Sequence, residues 1–496
     1  MTKLSSLEKR VKRRITARTH RFFAACPPGL KNLCYREIAA LTEKLKFIKS
    51  TTTDDLTGEI EPALFQDIEI IVGGVEFTSA VQGCYAANLY LRSPSKILMR
   101  IAHFKAENFR TLEKKLKEIE WELYLNPDLT FQVEVSAKSS RLYHTDAVAN
   151  RGEKVIKDYF SKLSNSFGNL KNPHDRKQSS NKKEGEMVSQ TIMIRAEDDK
   201  FEISIDSSGE LLHKRGLKEN VGAAPIRETL AFAILSAMNY PFGCDKSKSF
   251  NSDYPFSCNK SKSFNVDRKS DFDLTGLTEP PYLTKQLPLI DGMCGSGTFA
   301  LEAAMIADNI PAGFFRHFAF EAWPCFRAGQ WNYIKKMAEA DMPQSYKTAE
   351  PQEPFIFALD KNDKILKELE RTVEIFNFGS SIKIMQGDFF DIVPERLISE
   401  QNGLDQESTA ISEKSLPSDI KGFVVLNPPY GKRIGDKWES EKMFAKIGKK
   451  LESDFKGWRA GVVLPDRKFL HYLPGRKSLI PLFHGGLEIY AAIIQI

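Results

Sequence analysis

The chain has 496 residues, of which 42% are hydrophobic, 11% aromatic and 27% charged, with a formal net charge of +6. That length calls for about three domains; the composition excludes a disordered or fibrous protein, and no apolar run approaches the ~20 residues of a bilayer span. Seven cysteines without a single Cys-x-x-Cys pair argue against a disulfide framework and a structural zinc site, and fit a reducing, cytoplasmic setting.

In chain order, the first 21 residues carry eight Lys or Arg against one Glu, a net of +7. The run Lys9-Arg10-Val11-Lys12-Arg13-Arg14 reads either as an arm that binds phosphates without reading sequence or as a frayed, solvated tail. An Arg-rich transit peptide is a third reading, whereas a secretory signal lacks its apolar region. After Pro27-Pro28-Gly29, the spacing of Leu30, Leu33, Cys34, Ile38 and Leu41 predicts a helix. Thr51–Gly58 reads as a loop, and Ile68–Phe77 as two strands about Gly73-Gly74. Val81–Ser93 is expected to be helical, Phe131–Val135 a half-buried strand, and Ala147–Leu163 a second helix. Ser164–Glu186 is polar and reads as a mobile surface loop. The alternations at Ile192 and Ile194, and at Phe201, Ile203 and Ile205, predict a hairpin turning at Asp198-Asp199.

A tandem duplication follows: Tyr240–Asp253 is copied almost unchanged as Tyr254–Asp267. One duplication cannot build a solenoid, so it reads as an inserted loop. From Leu287 the pattern becomes strand–helix alternation. Leu287–Ile290, Phe355–Leu359, Ile382–Met385, Phe423–Leu426 and Ala460–Leu464 are short, continuous apolar runs, separated by helical patterns such as Thr298–Ala307 and Asp363–Phe376. That is the signature of a parallel sheet covered on both faces. Lys477–Gln495 reads as an antiparallel edge hairpin about Gly485-Gly486.

Each predicted strand of this α/β unit ends in a residue suited to a ligand. The first runs into Asp291-Gly-Met-Cys-Gly-Ser-Gly-Thr298 and a helix, where glycines permit close backbone approach and the helix offers free N–H groups. Cys294 reads as a small packed residue beneath that loop. Asp360 is placed to bond ribose hydroxyls, and Asp388-Phe389 to meet an adenine amino group and ring face. The fourth strand ends in Asn427-Pro428-Pro429-Tyr430. An amino group conjugated to a base ring is a poor nucleophile. An Asn oxygen and a nearby carbonyl accepting its hydrogens would direct the nitrogen lone pair at an incoming methyl, two prolines would fix the turn, and Tyr430 would stack on the base. Such a site gains from positioning and from aimed dipoles.

On these residues the chain resembles the class I S-adenosylmethionine-dependent amino methyltransferases. Leu212–Gly216, Ala223–Ala231, Cys26–Leu33, Gly73–Phe77, Ser95–Leu98 and Phe131–Val135 extend the likeness to the THUMP-domain RNA guanine-N2 methyltransferases, those acting on large-subunit ribosomal RNA above all. The resemblance implies a basic arm at 1–21, a ferredoxin-like domain at 22–76, a THUMP domain at 77–207 with a polar insertion at 164–186, and a Rossmann-like methyltransferase domain at 208–496 with the repeat at 240–267. It implies S-adenosylmethionine held by Asp291, Cys294, Gly295, Gly297, Thr298, Asp360, Asp388 and Phe389. Asn427, Pro428, Pro429 and Tyr430 would hold the target base. Lys138, Arg141, Lys214 and Arg215 would touch RNA, ribosomal rather than transfer RNA. No metal, no membrane and a monomer are expected. Gly292 departs from the family, which usually has proline there; the departure is expected to loosen the turn and remove no polar contact. The chain ends after the methyltransferase fold, so the second methyltransferase fused to some bacterial members is expected to be absent. Guanine N2 and adenine N6 remain chemically equivalent choices, as does a protein glutamine amide. A nicotinamide-dependent oxidoreductase is disfavoured because Asp360 lies far beyond the ~20 residues expected after a dinucleotide-binding loop. A non-catalytic RNA assembly factor would have no use for Asn427.

Overall fold

The computed structural model describes residues 6–45, 63–167, 190–218, 226–240, 287–348, 355–399, 420–429 and 437–496. The expected loop at Thr51–Gly58 and the tandem repeat beyond Tyr240 lie outside the described residues. Of the polar stretch from Ser164, the first residues instead close the helix Thr145–Phe167, and the rest lies outside them as well. Two compact units emerge: Met1–Cys26 with Glu37–Leu212 and Arg316–Lys336, and Pro27–Arg36 with His213–Phe315 and Met337–Ile496.

The first unit is built on a seven-stranded sheet. Its strands are β1 (His20–Ala25), β2 (Gln66–Ile71), β3 (Gly74–Ser79), β4 (Lys96–Lys105), β5 (Phe131–Lys138), β6 (Gln190–Glu197) and β7 (Lys200–Asp206), in the order β2-β3-β1-β4-β7-β6-β5. Every pair is antiparallel except β5 with β6. The β6–β7 hairpin turns where expected, with φ of 52° at Asp198 and 61° at Asp199. Positive φ at both central residues is the turn that matches strand twist, and Asp tolerates it better than most side chains. The segment Arg316–Lys336 belongs to this unit. The Arg316 guanidinium donates to the carbonyls of Ser208, Glu210 and Leu211 at 2.7–3.2 Å, and Phe320 and Trp331 pack on Tyr85.

The basic arm is neither a frayed tail nor wholly free cation. Ser6–Val11 is α-helical and Lys12–Thr16 continues it as a π turn. Val11 and Ile15 are buried at 2% and 1% exposure, so the segment is anchored by an apolar i, i+4 pair. Arg10 bonds Glu120 at 2.6 Å and Glu122 at 2.7 Å, Arg14 pairs with Glu120, and Arg21, already within β1, bonds Glu76. Lys9, Lys12, Arg13 and Arg18 stay exposed.

The second unit carries the α/β pattern. Its strands are β8 (Leu289–Asp291), β9 (Ile356–Asp360), β10 (Ile382–Gln386), β11 (Gly422–Leu426), β12 (Trp458–Leu464), β13 (Arg476–His484) and β14 (Leu487–Gln495). The order is β10-β9-β8-β11-β12-β14-β13, parallel through β12, with β13 and β14 forming the expected antiparallel hairpin at the edge. Successive residues feed two separate cores. Leu289, Ile356, Ala358, Phe423 and Val425 enter one; Ile290, Phe357, Leu359, Val424 and Leu426 enter the other. Burial on both faces is why these strands read as continuous apolar runs. The helix Thr298–Ala307 packs into the first core, and Phe444, Ile447 and Leu451 of the helix Lys437–Asp454 pack into the second. This is the class I methyltransferase fold, α/β with a mostly parallel, doubly covered sheet. Among the described residues no helix is long and apolar enough to cross a membrane, and no group of three or more His, Cys, Asp or Glu is placed to hold a metal.

Candidate active site

Strand order reverses at β8, whose neighbours are β9 and β11. Crevices at such a switch point, outside the carboxyl ends of the strands, are where open α/β sheets bind ligands. Asp291 and Asp360 are the last residues of β8 and β9, and Asp388 follows β10 by two residues. Asn427 directly follows β11. Since the four strands are parallel, all four side chains start from one sheet edge.

The loop after β8 is held by its own backbone. Gly292 N–H donates to Val425 O at 3.1 Å, Cys294 N–H to Leu359 O at 2.9 Å and Gly297 N–H to Cys294 O at 2.8 Å. Gly297 has φ of 74°, and a Cβ there would meet Leu369 at 2.4 Å, so glycine is required twice over. At Gly292 a Cβ would meet the Phe389 ring at 2.4 Å. Glycine therefore does more than loosen this turn: it admits Phe389 and supplies a backbone donor that proline lacks. Gly295 differs, because a Cβ there would meet nothing within 4 Å. Its outer side is open for a close-lying ligand.

Asp291 has no exposed surface. Its Oδ2 accepts from Ala300 N–H at 3.2 Å, in the first turn of the helix Thr298–Ala307, while Oδ1 has no partner among the described residues. Burial, with the Asp360 carboxylate adding to it, pushes its pKa up to about 8. Asp360 Oδ2 accepts from Gly295 N–H and Oδ1 from Asn362 N–H, both at 2.9 Å. One bond per oxygen leaves a carboxylate with lone pairs for hydroxyl donors. Asp388 accepts from Phe390 N–H at 3.2 Å and pairs with Lys361 at 2.7 Å. Burial works to raise its pKa, but these bonds outweigh it and hold the group below the usual carboxylate value. The Asn427 side-chain oxygen is shielded from solvent and has no partner among the described residues. Pro428 beside it is buried and Pro429 exposed, whereas Tyr430 lies outside the described residues. A buried acceptor left unmatched costs roughly 1–3 kcal/mol, and β8 and β11 each deliver one, on strands paired at Asp291 and Val425.

Three expectations need correction. Phe389 is 1% exposed and stacks on Phe455 in the core, so it offers no face to a ligand; its neighbour Phe390 is half-buried, with Lys446 Nζ 3.8 Å from its ring centroid. Arg215 does not face RNA. Its side chain is 1% exposed and grips Glu302, likewise buried, through two bonds of 3.1 Å. The third is Gly292, whose turn is filled by the Phe389 ring rather than loosened. Cys294 is buried, which pushes its thiol well above the ordinary value and fits a packed residue better than a reactive one. Thr298 is also buried and takes a hydrogen bond from Lys218 at 3.0 Å. In the first unit, Lys138 and Arg141 are exposed, but beside acids: Lys138 lies 3.6 Å from Glu197, and Arg141 pairs with Glu107 and Asp199. Lys214 is exposed on the second unit. Lys218 escaped the sequence reading because it stands outside every motif; its one signal was a cation two residues beyond Gly216.

Comparison with known proteins agrees with this architecture. Residues 276–479 match the family described as "RMKL-like, methyltransferase domain". The chain is 25% identical over 474 residues to "Putative RNA methyltransferase slr0064" of Synechocystis, covering 95% of this chain and 96% of that one. It is 24% identical to "Ribosomal RNA large subunit methyltransferase K/L" of Cellvibrio japonicus, covering 89% of this chain and spanning about half of that relative, 46%. The crystal structure of "SMU.472, a putative methyltransferase complexed with SAH" superposes with a TM-score of 0.65 at 21% identity, over 96% of this chain and 98% of that one.

Proposed function

We propose, for a chain whose residues 276–479 belong to the RMKL-like methyltransferase domain family, that it transfers a methyl group from S-adenosylmethionine to the exocyclic N2 of a guanine in large-subunit ribosomal RNA. The observation that carries the chemistry is the pair of buried, unpartnered acceptors, Asp291 Oδ1 and Asn427 Oδ1, at one end of the sheet. Residues present fit the cofactor. Gly295 leaves open space, Gly297 admits the turn, Asp360 keeps acceptor capacity for ribose hydroxyls, and Asp388 can accept from an adenine amino group. When bound, S-adenosylmethionine supplies an electrophilic methyl group.

The chain's own task is to prepare the nitrogen. Asn427 Oδ1 accepts one hydrogen of the amino group, and the backbone carbonyl beside Pro428 accepts the other. Both bonds pull the nitrogen out of conjugation and aim its lone pair. A neutral amide is no base, so Asn427 orients the amine and leaves its protons in place until attack. The two prolines keep the acceptors from relaxing toward each other, which is preorganisation of the kind that makes fixed dipoles effective. Support for RNA comes from the names of the Synechocystis and Cellvibrio relatives; guanine N2 rests on the resemblance of the motifs. Asp360→Ala removes charge-assisted bonds to the ribose, each worth roughly 1.5–3 kcal/mol. Calorimetry should show S-adenosylmethionine affinity falling by at least tenfold, and unchanged affinity in a folded variant would dismiss the ribose assignment.

The arm gives a separable expectation. Deleting it would remove buried Val11 and Ile15, so the cleaner test replaces Lys9, Lys12, Arg13 and Arg18 by Ala. If those cations meet phosphates, the slope of log affinity against log salt falls by roughly 0.7–0.9 for each phosphate no longer neutralised, while turnover at saturating RNA is retained. A slope identical to that of the parent assigns the arm to the fold alone. For the reading as a whole, nucleoside mass spectrometry on ribosomal and transfer RNA incubated with the protein and labelled S-adenosylmethionine is decisive. N2-methylguanosine in large-subunit RNA is expected; labelled N6-methyladenosine, or label in transfer RNA alone, would replace the substrate, and no label in any RNA would end the proposal.

A further inference from the structure

Lys218 stands at the cofactor loop although no motif contains it. Its ammonium donates to Ser296 Oγ at 3.1 Å and to Thr298 Oγ1 at 3.0 Å, one residue on each side of Gly297. An ammonium has three hydrogens, and the third has no partner among the described residues. The side chain is half-buried, and desolvation lowers its pKa from the ordinary lysine value; Glu228, Asp291 and Glu302, with the Cys294 thiol, are the groups that act on it electrostatically. Two hydroxyls alone do not explain a lysine here. A cation at the amino end of a helix is opposed by the helix dipole, so a bland tie would be better made by a neutral side chain. An anionic ligand removes the opposition, because helix amides and ammonium then act on the same charge.

The other half of the arrangement is Asp291. Its Oδ2 already serves the helix through Ala300, and its buried Oδ1 is unmatched. A site that places a cation with a spare donor near a carboxylate with a spare acceptor is complementary to an α-amino acid zwitterion. The assignment of ends follows from charge: Asp291 repels a carboxylate and Lys218 repels an ammonium.

Building on the methyl-donor reading above, we infer that Lys218 is the residue that binds the carboxylate at the amino-acid end of the cofactor, with Ser296 and Thr298 holding its ammonium in place and Asp291 Oδ1 taking the neighbouring amino group. Lys218 is thus a binding residue and takes no part in activating the target nitrogen.

The test compares two ligands that differ only in that carboxylate, S-adenosylmethionine and its decarboxylated form, by calorimetry on the full chain. The parent should prefer S-adenosylmethionine by about 10- to 100-fold, the worth of one charge-assisted bond in a partly buried site. Lys218→Met should erase the preference by lowering affinity for S-adenosylmethionine to that for the decarboxylated form, whose own affinity stays at the parent value. Lys218→Arg should restore part of the gap. If Lys218→Met keeps the preference, the carboxylate is bound elsewhere. If it weakens both ligands equally, Lys218 is only a tie for the loop. Either result overturns the inference and leaves the methyl-donor reading standing, whereas a parent that binds neither ligand removes that reading itself.

Discussion

Asn427→Ala should lower the rate of methyl transfer by about 10²–10³ while leaving affinity for RNA and for S-adenosylmethionine within about twofold of the parent. Losing one preorganised hydrogen-bonding group at a reacting centre typically costs that much in rate. Binding should be spared for two reasons. The amide meets a single amine at the end of a large RNA surface, and removing a buried, unpartnered oxygen relieves roughly 1–3 kcal/mol of mismatch in the free protein. The signature is therefore a fall in kcat with KM nearly constant, measured by single-turnover transfer of labelled methyl at saturating RNA. Normal turnover would show that Asn427 does not orient the amine, and a KM effect equal to the kcat effect would make it a contact of ground-state binding.

Much of the second unit was legible in its sequence, for a physical reason. Strands β8 to β12 lie between two cores, so their apolar runs are uninterrupted and their ends conspicuous. The helix Thr298–Ala307 has every residue buried and was read to its limits. The helix Lys437–Asp454 escaped notice because Phe444, Ile447 and Leu451 are its only fully buried apolar side chains amid Lys and Glu. Strand β4 escaped because it is half-exposed and bulges between Arg100 and Ala102, breaking the two-residue alternation. At Phe389-Phe390 two adjacent aromatics leave a strand, and no periodicity says which one turns inward; Gly292, a long way off in sequence, makes the room that decides it. The arm shows the converse error. Its charge dominates the eye, whereas Val11 and Ile15, four residues apart, were the signal that it folds.

Arg215 marks where reading residue types goes furthest astray, and it also sets the largest expected loss of stability. A surface-looking cation in a Lys-Arg-Gly sequence is buried with Glu302, and the bidentate pair ties the segment before Lys218 to the helix that carries the cofactor loop. Breaking such a pair from one side leaves an uncompensated buried charge and costs about 3–5 kcal/mol. Glu302→Ala should accordingly lower the melting temperature by on the order of 10 °C. Replacing both partners with apolar residues of similar volume, Arg215→Met with Glu302→Leu, removes the charges together, and most of the lost stability should return. Lys218 then separates anchoring from function. In the double variant its neighbour Glu302 is gone but Ser296 and Thr298 remain, so S-adenosylmethionine affinity should recover along with the melting temperature. Should the double variant be as unstable as Glu302→Ala, the cost lies in packing rather than in the stranded guanidinium. A double variant that is stable yet deaf to the cofactor would mean that the Arg215–Glu302 pair positions the loop itself.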